Sequence, residues 1–180
     1  DPQEYYGFEP IGTSDNPFTG KFDGAGYTIS GLYINRIDTE GVGLFGYASS
    51  AQITDLNLNI DSIVGDIGVG ALIGYADTDT TVSKVHITGG PLTSFAMWPS
   101  YGSYTGGLVG EIDGEIENSS SAVDVFAHGV NTGGLVGELK GHITGSSATG
   151  NVTVEEIGDS FYISQLNNNQ FEEKYKHHYS

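Results

Sequence analysis

Gly107-Leu108-Val109-Gly110 is one of four copies of a short motif that recurs along this chain of 180 residues. The other copies are Gly43-Leu44-Phe45-Gly46, Ala71-Leu72-Ile73-Gly74 and Gly134-Leu135-Val136-Gly137. Their last residues are 28, 36 and 27 positions apart, and a repeat of about 20–50 residues is typical of stacked-repeat proteins. Because each repeat of such a protein buries its apolar residues against its neighbours, the motif predicts an elongated solenoid.

Runs of alternating apolar and polar residues follow the copies of the motif. They are longest at 53–60 and 82–87 and shorter at 116–119 and 143–146, and only the last two repeats add a third run, at 122–125 and 151–154. An alternation with period two, bounded by Gly, Asn, Asp and Ser, predicts β-strands. Three short strands and three turns account for one repeat, so the predicted fold class is all-β, a parallel β-helix.

The predicted core of this β-helix is a column of leucines, one in each coil. Coils stacked about 4.8 Å apart bring equivalent residues together, so four leucines should point inward: Leu44, Leu72, Leu108 and Leu135. The residues four positions later should face the same way: Ala48, Ala76, Ile112 and Leu139. One further repeat predicts a degenerate coil at 161–166, which makes about five coils in all.

These patterns divide the chain into three parts. Residues 1–15 form an N-terminal lead-in or cap, 16–166 hold the repeats with an insertion at about 89–104, and 167–180 form a C-terminal cap or tail. In the tail, Phe171, Tyr175 and either His178 or Tyr179 share one stripe of a short helix that would seal the apolar end of the stack. A linker, or a strand that joins a neighbouring subunit, fits the same tail.

A longer set of motifs makes the chain resemble the GLUG-repeat family. The run from Pro17 to Ile34 is followed by Gly-Leu-Phe-Gly and then by Gly-Gly-Leu-Val-Gly units with Ile-x-Asn-Ser and Ala-Thr-Gly-x-Val tails. The resemblance covers roughly Phe8 to Val154. It implies a right-handed parallel β-helix in a large bacterial or archaeal surface or secreted protein, such as an adhesin, and it supplies no catalytic residues.

The composition excludes several classes of partner. The net charge is −17 because only 6 Lys and Arg accompany 23 Asp and Glu, so nucleic acid and anionic membrane surfaces are poor partners. The chain has no Cys, which rules out disulfides and thiolate metal sites. No stretch approaches the roughly 20 apolar residues of a membrane span, so we expect no membrane insertion. Cations, basic surfaces and neutral glycans remain open.

The insertion at about 89–104 is the predicted ligand-binding site. It holds the only Trp of the chain, Trp98, together with Tyr101 and Tyr104. Insertions in solenoids become loops on one face, often the binding face, and aromatic rings beside Ser and Gly suit glycan stacking or protein contact. The alternative is that the aromatic side chains fold back and cover the coil.

The remaining polar features predict no cofactor and no metal site. Acidic clusters such as Asp77/Asp79 match no calcium-loop pattern, and Asp in a turn commonly bonds its own backbone. The five His are dispersed and show no zinc spacing. Asn118 and Asn151 begin glycosylation sequons, although sequons also arise by chance in a chain so rich in Asn, Ser and Thr.

Three function hypotheses follow from the sequence. The leading hypothesis is a non-enzymatic extracellular module, an adhesin or stalk segment of a secreted or cell-surface protein that contacts a glycan or a protein. The second is a structural subunit that associates end to end in an extracellular filament. The third, a polysaccharide-active β-helix enzyme, is disfavoured. Lyases of acidic sugars commonly need Lys or Arg near the reacting sugar. Outside the tail only Lys21, Arg36, Lys84 and Lys140 are available, in no close register.

Overall fold

The computed structural model describes residues 6–96 and 102–155, and these residues form a parallel β-solenoid without helices. Within them no helix has the length and apolar character needed to cross a membrane. The strands are β1 (Lys21–Asp23), β2 (Thr28–Asn35), β3 (Phe45–Ala48), β4 (Gln52–Gly65), β5 (Val69–Gly70), β6 (Ile73–Ala76), β7 (Thr81–Gly89), β8 (Leu92–Ser94), β9 (Tyr104–Gly106), β10 (Val109–Ile112), β11 (Glu115–Glu117), β12 (Ser120–Ser121), β13 (Val125–Ala127), β14 (Asn131–Gly133), β15 (Val136–Leu139), β16 (His142–Thr144), β17 (Ser147–Ala148) and β18 (Val152–Val154).

Four coils carry the repeated motif, and an N-terminal coil stacks on the first of them. Coils 1 to 4 span 42–65, 69–94, 104–127 and 131–154, and the N-terminal coil spans 11–35. Equivalent strands pair in parallel into three sheets. The long sheet has the order β16-β11-β7-β4-β8-β13-β18, the motif sheet has the order β15-β10-β6-β3, and the short sheet has the order β14-β9-β5.

The leucine column lies inside the coils, as the sequence predicts. Leu72 and Leu108 are fully buried, and Leu44 and Leu135 are 4% and 8% exposed. The amide of Leu108 donates to the carbonyl of Leu135 in the next coil at 2.8 Å, so backbone hydrogen bonds hold the column in register. The next residue of each motif copy is fully buried as well: Phe45, Ile73, Val109 and Val136. The apolar core is therefore continuous through coils 1 to 4.

The motif glycines lie where the short sheet passes closely over the motif sheet. A Cβ atom at Gly110 would be 2.6 Å from the carbonyl oxygen of Gly74 and 2.9 Å from the amide nitrogen of Val69. A Cβ atom at Gly74 would be 2.6 Å from the Cα of Gly41. These contacts are with backbone atoms, which cannot move aside as a flexible side chain can. Close packing of backbones therefore explains why this position of the motif is glycine.

A column of left-handed residues forms one corner of coils 1 to 4. Asp55, Lys84, Asn118 and Gly145 are equivalent in register, and their φ angles lie between 49° and 61°. The residue after this corner is a serine in coils 3 and 4, Ser119 and Ser146. The hydroxyl of Ser119 accepts from the amide of Val85 at 3.1 Å and donates to the carbonyl of Glu117 at 2.8 Å. This hydrogen bonding links the corner of one coil to the next.

Strands occupy both ends of the insertion predicted at about 89–104. Leu92–Ser94 form β8, which pairs with β4 and β13, and Tyr104 begins β9, which pairs with β5 and β14. Residues 95–103 remain between them. A third strand segment is therefore present in coils 1 and 2 as well, contrary to the expectation that only the last two repeats have one. Its sequence in coil 2, Pro91-Leu92-Thr93-Ser94, is too short to show a clear alternation.

The N-terminal coil lacks the motif but extends the same core. Ile11 bridges to Phe45 and Phe18 bridges to Ala48, both in parallel. The rings of Phe18 and Phe22 contact the ring of Phe45, with centroids 4.7 and 5.6 Å apart. Aromatic side chains thus fill the space that Leu and Val fill in later coils. The fifth coil predicted at 161–166 and the predicted capping helix lie outside the described residues.

Candidate interaction surface

Three tyrosines line up along one outer face of coils 1 to 3. Tyr47 and Tyr75 occupy equivalent positions of the motif sheet, and their rings stack with centroids 5.0 Å apart and an interplanar angle of 20°. The ring of Tyr104 meets Tyr75 edge-on, with centroids 6.2 Å apart. We call these three residues the tyrosine face. Its three tyrosines are half-buried.

Local sequence explains why the tyrosines point outward. Tyr47 and Tyr75 each directly precede a buried alanine, Ala48 or Ala76, and successive side chains of a strand point to opposite faces. Glycines with positive φ leave space beneath the rings. A Cβ atom at Gly68 would lie 2.1 Å from the ring of Tyr75, and one at Gly41 would lie 2.3 Å from the ring of Tyr47. In coils 1 and 2, a glycine in the neighbouring turn therefore makes room for the tyrosine ring.

Acidic residues replace the tyrosines in the same column of coils 3 and 4. Glu111 pairs in register with Tyr75, and Glu138 pairs with Glu111. The ammonium of Lys140 hydrogen-bonds to Glu111 and lies 3.5 Å from a carboxylate oxygen of Glu138. The hydrogen bond to Glu111 and the charges of both glutamates raise the pKa of Lys140. The ammonium of Lys140 is therefore already paired with carboxylates of its own chain, which makes it a weaker binding group for an anionic ligand.

A shallow groove of about 450 Å³ runs beside the first two tyrosines. Its apolar lining comes from Pro17, Ala48 and Ala76 beside the tyrosine rings, and its polar lining includes Asp77, Asp113 and Lys140. The carboxylate of Asp77 accepts hydrogen bonds from Ser49 Oγ at 2.5 Å and from the amide of Ser50 at 2.9 Å. Burial raises the pKa of Asp77, but these hydrogen bonds outweigh it and the pKa is lowered.

The phenols of the tyrosine face remain protonated at neutral pH and can donate hydrogen bonds. Burial raises the pKa of Tyr47, Tyr75 and Tyr104, and nearby Glu40, Glu111 and Glu138 raise these values further. A groove with phenol donors, carboxylate acceptors and apolar edges fits the hydroxyl groups and CH faces of a neutral glycan, or the side chains of a protein.

We expect the thermal stability of the protein to fall as the pH rises above about 10, the ordinary pKa of tyrosine. The folded chain keeps protons on Tyr47, Tyr75 and Tyr104 that the unfolded chain loses, so their contribution is complete below that pH and is lost above it. Melting temperatures measured by circular dichroism between pH 8 and 11 should decline less steeply in Tyr75→Phe than in the wild type. Tyr27→Phe, at a position 76% exposed, is the matched control. Equal slopes for all three proteins would contradict the assignment.

Of the three predicted ligand-binding residues, only Tyr104 lies in the part of the chain that the structure describes. It begins β9 and joins the tyrosine face, while Trp98 and Tyr101 lie outside the described residues. Directly after β8, the ring of Phe95 stacks on that of His128, with centroids 5.2 Å apart and an interplanar angle of 13°. Both ring nitrogens of His128 have contacts, Nδ1 with the carbonyl of Ser94 and Nε2 with Glu155, each at 3.2 Å.

The two sequon asparagines differ in their surroundings. Asn118 is exposed at the left-handed corner, where Asn tolerates a positive φ better than most residues. The side-chain amide of Asn151 donates to Asp124 at 3.1 Å, so its side chain already takes part in coil stacking. Among residues 6–96 and 102–155, no group of three His, Asp or Glu side chains is arranged to hold a metal ion.

Tyr47 and Tyr75 are surface residues that sequence reasoning missed. A signal was present, because Gly-Tyr-Ala occurs twice, at 46–48 and 74–76, and begins each time with the last Gly of the motif. The repeated tyrosine stands between buried positions, which dominate the apolar pattern of the motif. The partner ring of Tyr104 belongs to a different sheet, so spacing along the chain does not predict that contact.

Comparisons with known proteins agree with the repeat pattern. Residues 101–125 and 128–153 match the GLUG motif. The chain is 36% identical over 126 residues, 68% of its length, to halomucin of Haloquadratum walsbyi, and it covers 1% of that protein. It is 42% identical over 69 residues, 38% of its length, to a protein of Evansella cellulosilytica described as a Gly-rich membrane protein, of which it covers 8%. No solved structure matches the chain.

Proposed function

Since this chain belongs to the GLUG-repeat family, we propose that it is a non-enzymatic module of a secreted or cell-surface protein. In this role it is a rigid β-solenoid segment, a stalk or adhesin, that holds a contact surface at a fixed place. The observation that carries the proposal is the continuous core through coils 1 to 4, stacked in register. The membrane location in the description of one relative supports a place at the cell envelope.

Outward-facing polar side chains support a structural role because they form hydrogen bonds between adjacent coils. Asn59 donates to Thr88 at 3.1 Å, and a ring nitrogen of His86 lies 2.9 Å from the hydroxyl of Ser120. Asp124 accepts from the amide of Asn151 in the next coil. Such ladders stiffen the stack along its axis and occupy groups that a catalytic site would need free.

The proposed contact surface consists of the tyrosine face, the adjoining groove, and Trp98 and Tyr101 of the predicted insertion. Trp98 and Tyr101 precede Tyr104 by six and three residues, and Tyr104 lies against Tyr75, which lines the groove. The proposed partner is an extracellular glycan or a protein surface. The net charge of −17 favours neutral or cationic partners over anionic ones.

Trp98→Ala is the variant that tests this proposal. We expect it to leave the melting temperature nearly unchanged and to weaken binding at least tenfold on a glycan array or a panel of matrix proteins, because buried aromatic anchors carry about 2 kcal/mol or more at an interface. Phe126→Ala, which removes a 41% exposed ring on the long sheet, should leave binding unchanged. A sharp loss of thermal stability with unchanged binding would instead make the predicted insertion a structural cover, and the binding proposal would fail.

Two further measurements on the unmodified protein test the two alternative functions. Turnover of uronate polymers, or of plant or microbial glycans, would establish a polysaccharide-active enzyme and remove the non-enzymatic proposal. Long assemblies of the unmodified chain in negative-stain microscopy would favour the filament subunit. A monomer that binds a glycan or protein and turns over no polysaccharide is the result that the proposed module predicts.

A further inference from the structure

A short N-terminal segment covers one edge of the solenoid in the opposite direction to the other described pairings. Residues 6–8, which we call the strap, lie antiparallel to β2 through a bridge between Gly7 and Ile34, whereas the other pairings of the described strands and bridges are parallel. The amide of Phe8 donates to the carbonyl of Tyr33 at 2.8 Å, and the amide of Asn35 donates to that of Tyr6 at 2.9 Å. The strap therefore uses the backbone groups of this edge.

Arg36 holds the strap in place. Its Nε donates to the carbonyl of Phe8 at 3.2 Å, and its guanidinium carbon lies 5.7 Å from the centroid of the Tyr6 ring, within reach of a cation–π contact. Gly7 has a φ of 67°, and a Cβ atom there would be 2.2 Å from the carbonyl oxygen of Tyr33. Strap docking therefore depends on a cation and on a glycine at these two positions.

The covered edge is where another parallel strand would fit. In the long sheet, the part of β2 beneath the strap pairs on its other side with β4. From there β4 pairs with β8, β8 with β13, and β13 with β18. Among the described residues, β18 at the far end pairs with β13 alone. A β18 strand from a second copy, placed on β2, would continue the same parallel register. Unpaired edges of this kind are templates for pairing with another chain.

Exposed apolar side chains concentrate at the same end of the molecule. Of the large hydrophobic residues exposed in the described part of the chain, all but Phe126 lie between residues 6 and 37: Tyr6, Phe8, Ile11, Tyr27, Tyr33 and Ile37. Apolar surface gathered in one region marks an interaction site or an aggregation hazard. The neighbouring edge strand β1 is only three residues long and carries Lys21 and Asp23, and short charged strands are a common protection of open edges.

We propose that the strap is a blocking segment that prevents head-to-tail association, in which β18 of a second copy would pair with β2. The contact joins two different surfaces, so an open strap would permit chains of many copies instead of closed dimers. This inference does not depend on the ligand-binding proposal. It accounts together for the antiparallel direction of the strap, the Arg36 clamp and the apolar residues at this end.

The test releases the strap in the full chain with the double variant Gly7→Val and Arg36→Ala. Hydrogen exchange at the amide of Asn35, which bonds to Tyr6, reports whether the strap has left the edge. Light scattering across protein concentrations reports the mass. We expect the wild type to remain at 19.0 kDa and the double variant to assemble progressively with rising concentration. Lys84→Ala removes one exposed positive charge from β7 of coil 2, away from the covered edge, and should remain monomeric.

Thr153→Lys identifies the occupant. Thr153 is exposed in β18, and a Lys there in the strap-released variant should restore the monomer, because Lys on an edge strand opposes pairing. The proposal is overturned by assembly of the wild type, by a released strap in a protein that stays monomeric, or by assembly that Thr153→Lys does not reverse. It is also overturned if the Asn35 amide stays protected in the double variant at concentrations where that variant is monomeric, since the contacts named here would then not hold the strap.

Discussion

Leu108→Asp is expected to unfold the whole described solenoid. Leu108 is fully buried in the middle of the leucine column, between Leu72 and Leu135 of the adjacent coils. An ionised carboxylate in this apolar position has no partner and no water, which costs several kcal/mol against a total stability of about 5–15 kcal/mol for a typical domain. Because each coil is stabilised by its neighbours, loss of coil 3 also exposes the cores of coils 2 and 4.

Circular dichroism during heating measures this result, with Tyr27→Asp as the control. Tyr27 is 76% exposed, so a carboxylate there stays in water and the melting temperature should change little. An Leu108→Asp protein with the melting temperature of the wild type would mean that the leucine column is not the core. If the leucine column is the core, Leu108→Asp loses the cooperative unfolding transition and Tyr27→Asp keeps it.

Gly110→Val is expected to have the second largest effect. Its side chain would meet the backbone of Gly74, Gly68 and Val69 at distances of 2.6 to 2.9 Å. Relief of these overlaps requires the short sheet to move away from the motif sheet, which disturbs the hydrogen bonds of both. Overpacking typically costs 1–3 kcal/mol and more where backbone must shift, so we expect a loss of about 3 kcal/mol and a melting temperature lower by about 10 °C.

Gly26→Asn is the matched control for this glycine. Gly26 has a φ of 73°, and no atom lies within 4 Å of the place where its Cβ would be. Asn tolerates this backbone conformation, so the variant should unfold within a few degrees of the wild type. If Gly110→Val melts at the same temperature as Gly26→Asn, the glycine of the motif is not required by close backbone packing.

The core could be predicted from the sequence because one residue type fills one position in each coil. Leu44, Leu72, Leu108 and Leu135 repeat both the side chain and its neighbours, and stacking leaves only one way to bury them together. The left-handed corner could not be predicted in the same way. Its residues, Asp55, Lys84, Asn118 and Gly145, share a backbone conformation but no side-chain chemistry, and Lys84 is unusual at a positive φ.

The N-terminal coil was harder to delimit than coils 1 to 4. Ile11 lies within the segment expected to be a lead-in, yet it bridges to Phe45 in the motif sheet. The sequence there has no Gly-Leu-Val-Gly copy, because Phe18 and Phe22 fill the core with fewer and larger side chains. A pattern search based on the motif cannot detect a coil that solves the same packing problem with aromatic rings.

The candidate surface was predictable only in part. Tyr104 is in the predicted site and is placed on the tyrosine face, whereas its contact with Tyr75 depends on how the short sheet sits beside the motif sheet. The predicted roles of Trp98 and Tyr101 in binding, and of Asn118 and Asn151 in glycosylation, stay predictions. The surface tyrosines were missed because outward positions of a solenoid have no packing requirement that a periodic pattern would reveal.

The stacking of coils has a mechanical consequence. Hydrogen bonds between parallel strands join one coil to the next, so they run along the axis of the solenoid. A pull on the two ends of the chain therefore opens the stack from an end, one coil after another, instead of loading all coils at once. Val109 and Val136 are partners in adjacent coils and stand 27 positions apart, so each opened coil releases about 90 Å of extended chain. Under load, the solenoid is an extensible tether whose remaining coils keep their core.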